Sequence, residues 1–172
     1  MDCGNSNKIP FHWAKSTIII TILVFLILLC AAIRLAYIYV NIKKIILFGV
    51  IFSPFICSFL YLPLYLHINN CFLIIQRIKG KIKIPIADIK SISKIGKSEI
   101  HSCIRIWGSG GLFGYLGIYS NPKFGKFNMY ATELSNLYLI KTRNKTYIIS
   151  CKDINIKSLI NSQCNENNFF KE

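Results

Sequence analysis

The rhythm of apolar and polar positions changes twice along this chain. Two apolar runs come first, Thr17 to Val40 and Ile45 to Leu66, separated by Asn41-Ile42-Lys43-Lys44. A membrane-spanning helix takes roughly 20 mostly apolar residues, and both runs meet that length. They predict a two-helix transmembrane hairpin (17–40 and 45–66) behind a polar segment, 1–16. After Leu66 the period shortens to two. Ile82, Ile84 and Ile86 alternate with Lys81, Lys83 and Pro85, the pattern of a half-buried strand. Cys71 to Ile78 is an apolar run set off by Gly80, and Ile89 to Ile95 is a further short segment closed by Gly96. Ile104 and Ile106 flank Arg105, and Phe127, Met129 and Ala131 alternate with Asn128 and Tyr130. Leu137 to Thr142 and Thr146 to Ser150 form a hairpin across Arg143-Asn144-Lys145. The period then returns to helical: Asp153 can cap a helix carrying Ile156, Leu159, Ile160 and Cys164 on one side. The expected architecture is an α+β membrane protein. An antiparallel β-sandwich or barrel at 67–164 is closed by its last helix, and a polar tail covers 165–172.

Proline and flanking charge refine the hairpin. Pro54 and Pro63 would kink the second helix or cut it short. Trp13, Tyr37, Tyr39, Tyr61 and Tyr65 fall where interfacial aromatics collect. Lys8 and Lys15 precede the first run, and Arg77, Lys79, Lys81 and Lys83 follow the second. The connection holds Lys43 and Lys44, with Arg34 within snorkelling distance. The balance favours both termini in the cytoplasm. The first run continues well past Cys30-Ala31-Ala32, which argues for an uncleaved helix over a signal peptide.

Composition adds a charge asymmetry. Of the net +14 among 172 residues, about +10 lies after Leu66, with 16 Lys and Arg against 6 Asp and Glu. A basic domain beside a bilayer faces anionic headgroups. Nucleic acid is the other acidic polymer, but no helix-turn-helix pattern, zinc-finger spacing or RNP-like aromatic motif is present. The seven cysteines (Cys3, Cys30, Cys57, Cys71, Cys103, Cys151 and Cys164) are scattered without a CxxC. That is neither a disulfide framework nor a zinc site, and it fits a reducing compartment.

Three stretches hold the candidate chemistry. The first is the glycine cluster. Gly108, Gly110, Gly111 and Gly114 miss GxGxxG, because Phe113 stands at the third glycine, and no GK[ST] follows. Two readings stay open: a bulged hairpin, or a backbone surface offered to a partner through Arg105, Ser109, Gly110, Gly111 and Tyr115. The aromatics Trp107, Phe113, Tyr115, Tyr119, Phe124 and Phe127 interleave with it; such positions are more often core or membrane-facing than nucleotide-stacking, and with Leu112 and Leu116 the alternative is an exposed apolar tip that touches the bilayer or a partner. The second is the basic set Arg77, Lys79, Lys81 and Lys83. Its alternation puts these residues largely on one face, either as a headgroup site or as a solvated outer surface. The third is His101, near Glu99 and Cys103. Spacing alone does not make a Cys/His nucleophile there, and the carboxylates Asp88, Glu99, Glu133 and Asp153 are isolated. No cofactor or metal site is expected.

The segment Ile84-Pro85-Ile86-Ala87-Asp88-Ile89-Lys90-Ser91-Ile92, the stretch Arg105 to Gly117 leading to Tyr130-Ala131-Thr132, and Lys145 to Asp153 resemble bacterial pleckstrin-homology (PH-like) domain proteins of the membrane-anchored kind. The resemblance implies seven strands in two sheets with a C-terminal helix, no enzyme activity and no cofactor. It assigns no role to individual residues. The expectation is a multi-pass protein of the bacterial inner membrane with its domain in the cytoplasm. Its function would be that of an interaction module for a protein or peptide partner, or for anionic lipid. Edge strands that accept an added strand would also permit self-association. The contrasting reading is a structural subunit of an envelope or transport complex assembled through the helices. Ala31, Ala32, Ala36, Gly49 and Ser53 leave that open.

Overall fold

The computed structural model describes residues 8–38, 43–69 and 71–151. A two-residue strand, β1 (Ile9–Pro10), precedes helix α1 (Lys15–Ile38) and helix α2 (Lys43–Leu60). Strands β2 (Pro63–Asn69), β3 (Phe72–Arg77) and β4 (Lys81–Pro85) follow. A 3-10 turn, Ile86–Asp88, leads into β5 (Ile89–Ile95), and the short helix α3 (Lys97–Ile100) leads into β6 (Ile104–Gly110). Strands β7 (Tyr115–Asn121), β8 (Gly125–Ala131), β9 (Leu137–Thr142) and β10 (Thr146–Ser150) complete the described chain.

The strands form two sheets, one in the order β1-β2-β3-β4 and one in the order β5-β9-β10-β8-β7-β6. Pairing is antiparallel except between β10 and β8, which run parallel. The result is an α+β architecture, a sandwich-like β-domain behind an apolar helix. Leu66, Ile68, Leu73, Ile75 and Ile84 of the first sheet meet Ile140, Ile149 and Cys151 of the second in one core. The neighbouring positions Leu139 and Ile148 turn to the opposite face, where they pack with Phe127, Met129, Ala131 and Leu137. Period-two alternation thus gives the six-stranded sheet two apolar sides.

Strands β3, β4, β5, β6, β8, β9 and β10 fall where the alternation places them. The second apolar run does not. It was expected to stay helical to Leu66, but α2 ends at Leu60, and Pro63 to Leu66 belong to β2. Pro63 has no amide hydrogen to continue a helix. The residues after it alternate in burial and pair with β3, so burying them in a sheet satisfies the same apolar side chains. An apolar run does not by itself distinguish a buried strand from a helix. The spanning hairpin is corrected accordingly. Among the described helices only α1, over Lys15–Arg34, is long and apolar enough to cross a membrane, and the apolar part of α2, Ile46–Leu60, is shorter. The described residues also hold ten strands rather than seven, with β1 and β2 recruited from either side of the helices. The expected closing helix, 153–164, lies outside the described residues, and the sheets do not close into a barrel.

Candidate functional site

The glycine-rich stretch is a tight hairpin between β6 and β7. The amides and carbonyls of Gly111 and Gly114 bond reciprocally, which leaves Leu112 and Phe113 at the tip. Phe113 and Gly114 both take positive φ, 55° and 122°. At Gly114 a Cβ would lie 2.6 Å from the Ala131 carbonyl, so both the φ and the space select glycine. Gly108 and Gly117 are cross-strand partners, and a Cβ on either would strike the opposing strand's carbonyl near 2 Å (2.0 and 2.2 Å). The backbone approach, rather than a phosphate, accounts for these glycines.

The tip of this hairpin is the dock for the helices. Phe113 is 7% exposed. Its ring meets Trp13 ahead of α1 at 6.5 Å, and Phe55 and Phe59 of α2 at 5.0 and 5.6 Å. Thr21 of α1 accepts the Phe113 amide through Oγ1 at 3.1 Å, while its own hydroxyl donates to the Thr17 carbonyl. The buried Thr17 hydroxyl donates to the Thr132 carbonyl at 3.1 Å, and the Ala14 amide donates to the same oxygen. Thr132 also donates from Oγ1 to the His12 carbonyl at 2.6 Å, and its amide is satisfied by Ser150 Oγ. Sequence reasoning missed Thr17, Thr21 and Thr132. A Thr inside an apolar helix is a signal for Thr17 and Thr21, since a buried hydroxyl needs a partner.

Beside this dock a groove of about 500 Å³ opens between α2 and the β6–β7–β8 face. Pro54, Cys57 and Ser58, at a spacing that shares one side of α2, form one wall with Tyr61 of the turn after it. Leu116, Ile118, Asn128 and Tyr130 form its floor. Arg105 and Ser109 line it from β6, an edge strand. The outer rim is apolar: Ile106 and Trp107 are 53% and 61% exposed. Trp107 sits edge-on to Tyr61 at 6.2 Å.

The predicted partner residues separate on this geometry. Arg105 is exposed, with its guanidinium over Gly110, where an added Cβ would lie 2.7 Å from one of its nitrogens. Ser109 is buried; its hydroxyl bonds the Leu112 carbonyl, and its carbonyl accepts from Tyr119. Burial pushes the Tyr119 hydroxyl up to about 12, so it remains a donor at any physiological pH. Gly111 faces Ile20 of α1, and Tyr115 lies half-buried at the start of β7.

The basic residues separate too. Lys81 and Lys83 stand exposed on the outer face of the first sheet, paired across the ladder with Gln76 and Ile74. His67 is in register with Ile74 and so shares that face. Its pKa is lowered, first by burial and then by Lys8 and Lys81, and its Nδ1 has no hydrogen-bond partner. Lys8 lies over the Tyr65 ring, which places Tyr65 in the sheet rather than at a helix end. Lys79 is exposed in the turn before β4. Arg77 has the opposite strand parity and leaves this set: its guanidinium stacks over Tyr61 at 5.1 Å, and its Nε is buried without a partner.

His101 and Cys103 both line a small cavity of about 200 Å³, where Asn121 donates to the Cys103 sulfur. Among the described residues no cluster of His, Cys, Asp and Glu is arranged to hold a metal.

A two-sheet β-domain with a glycine-pinned hairpin and a basic outer face is the setting for the comparison with known families. The bacterial PH domain family model matches residues 65–158, more than half of the chain, and the chain belongs to that family. No curated protein and no solved structure matches it.

Proposed function

We propose that this protein is a membrane-held, non-enzymatic interaction module, with α1 as its anchor and the PH-like domain fixed against the bilayer at the cytoplasmic face. PH domains generally act as non-catalytic interaction modules. The observation that carries the reading is the dock at the base of α1. Thr17 and Thr21, in the first turns of an apolar helix, are hydrogen-bonded to Thr132 and Phe113 of the β-domain. A domain tied there by backbone and side-chain bonds has little freedom to swing away from the membrane surface. Two surfaces are then offered to partners. One is the β6 edge with Arg105, Ile106 and Trp107, backed by Ser109, Gly110, Gly111 and Tyr115, for a protein or peptide. The other is the outer face with Lys79, Lys81 and Lys83, for anionic headgroups, where each basic residue near the surface contributes about 1 kcal/mol.

The test is reconstitution of the full chain, carrying Trp13→Phe, into vesicles containing brominated phosphatidylcholine. Trp107 fluorescence should be quenched strongly, and the chain should stay with the vesicles through a high-pH wash. Unquenched Trp107 would show that the domain stands clear of the bilayer. Loss of the chain in the wash would remove the anchor.

A further inference from the structure

We infer that the groove between α2 and the β6–β8 face seats one anionic phospholipid, its phosphate on Arg105 and an acyl chain along Pro54, Cys57, Ser58 and Tyr61. The inference rests on the membrane-held reading above, and at Arg105 it puts a lipid where that reading has a protein or peptide. At about 500 Å³ the groove falls within the roughly 300–1,000 Å³ of typical ligand sites. Its walls are mostly apolar, and Arg105 is the only charged residue among the described residues that line it. A guanidinium matches a phosphate bidentately, and among the described residues no carboxylate lines the groove to compete for it. A second cation stands behind the wall. Arg77 stacks on Tyr61, itself a lining residue, and carries a buried Nε without a hydrogen-bond partner. Among the described residues neither guanidinium has a carboxylate within ion-pair distance, so positive charge meets the site from two sides. The occupant must also be apolar over most of its length, because Pro54, Cys57 and Ser58 belong to the apolar segment Ile46–Leu60 and the exposed Ile106 and Trp107 line the groove opposite them. A soluble phosphate compound would leave those surfaces wet, whereas a bilayer lipid meets both demands.

The test is native mass spectrometry of the full chain in mild detergent, titrated with dioleoyl-phosphatidylglycerol or dioleoyl-phosphatidylcholine. One phosphatidylglycerol should bind per chain, about tenfold tighter than phosphatidylcholine. Arg105→Gln should lose that preference about tenfold, and Arg105→Lys should restore part of it. Cys57→Trp, which fills the groove from the helix without changing charge, should weaken both lipids. A Lys81→Gln, Lys83→Gln variant should keep the bound lipid. Thermal melts of each variant separate lost binding from lost folding. Equal binding of the two lipids, or an Arg105→Gln chain that melts normally and keeps its phosphatidylglycerol, would overturn the inference. Displacement by millimolar inorganic phosphate would overturn it too, in favour of a soluble anion. The high-pH wash reads anchoring separately, so a chain that stays in vesicles but selects no lipid refutes only the groove.

Discussion

The β6–β7 hairpin and the β3–β4 hairpin both look like ligand loops in the sequence, one by its glycines and one by its lysines, yet they meet different surroundings. The β6–β7 tip is covered by the chain's own helices, with Phe113 enclosed by Trp13, Phe55 and Phe59. The β3–β4 hairpin carries Lys79, Lys81 and Lys83 into the open. A glycine cluster reports a backbone demand, and that demand can be internal packing as readily as a ligand. An alternating lysine strand reports a solvent face, and Lys81 and Lys83 stand exposed on it.

The largest effect that would sharpen this contrast is at the enclosed tip. Phe113→Ala should destabilise the full chain by about 3–5 kcal/mol, the range for emptying a buried Phe site, seen as a lowered midpoint in chemical unfolding. A wild-type midpoint would mean that the ring does not hold helices and domain together. Next comes the threonine hub. Thr132→Ala strips the donor from the His12 carbonyl and the acceptor from the Ser150 hydroxyl and should cost about 1–3 kcal/mol, while Thr132→Ser should recover most of it. If alanine and serine behave alike, the hydroxyl carries nothing.

The open hairpin should give small stability effects and clear electrostatic ones. Lys81→Gln with Lys83→Gln should change stability by no more than about 0.5 kcal/mol, and it should raise the His67 pKa by removing one of the charges that lower it. A histidine titration followed by NMR checks this, and an unmoved His67 would detach it from the lysine face. The smallest effect is the pH dependence of folding. The folded His67 pKa lies below its ordinary value near 6.5, so the unfolded chain takes up the proton first. Its contribution is fully present above about pH 6.5 and is lost as pH falls from there through the folded pKa. A melting temperature that rises on acidification across that window would contradict the sign.

The contrast also explains what the sequence made legible. Strands with one face in solvent announce themselves: Lys81-Ile82-Lys83-Ile84 puts charge and core on alternate positions, and β9 and β10 begin and end where their turn residues predict. The strand β2 was hidden because Pro63 to Leu66 continue an apolar run, and hydropathy does not record whether apolar side chains are buried by lipid or by another strand. The groove was half legible. Arg105 and Ser109 are candidates by sequence, but Cys57 and Tyr61 reach it from α2 and the turn that ends it, distant in sequence. Arg77 was grouped with the lysines on strand spacing, although its parity on β3 turns it inward to Tyr61. The hub of Thr17, Thr21 and Thr132 joins positions more than ninety residues apart, which no local pattern encodes.

The central claim is that the β6–β7 tip is locked between the helices and the domain. Amide hydrogen exchange on the full chain in phosphatidylcholine nanodiscs tests it most directly, comparing wild type with Thr21→Val. Protected amides at Gly111, Phe113 and Gly114 in wild type, with faster exchange at Phe113 once its acceptor on Thr21 is removed, are the predicted result. Exchange of those amides at the rate of an open loop in wild type, unchanged by Thr21→Val, would contradict it.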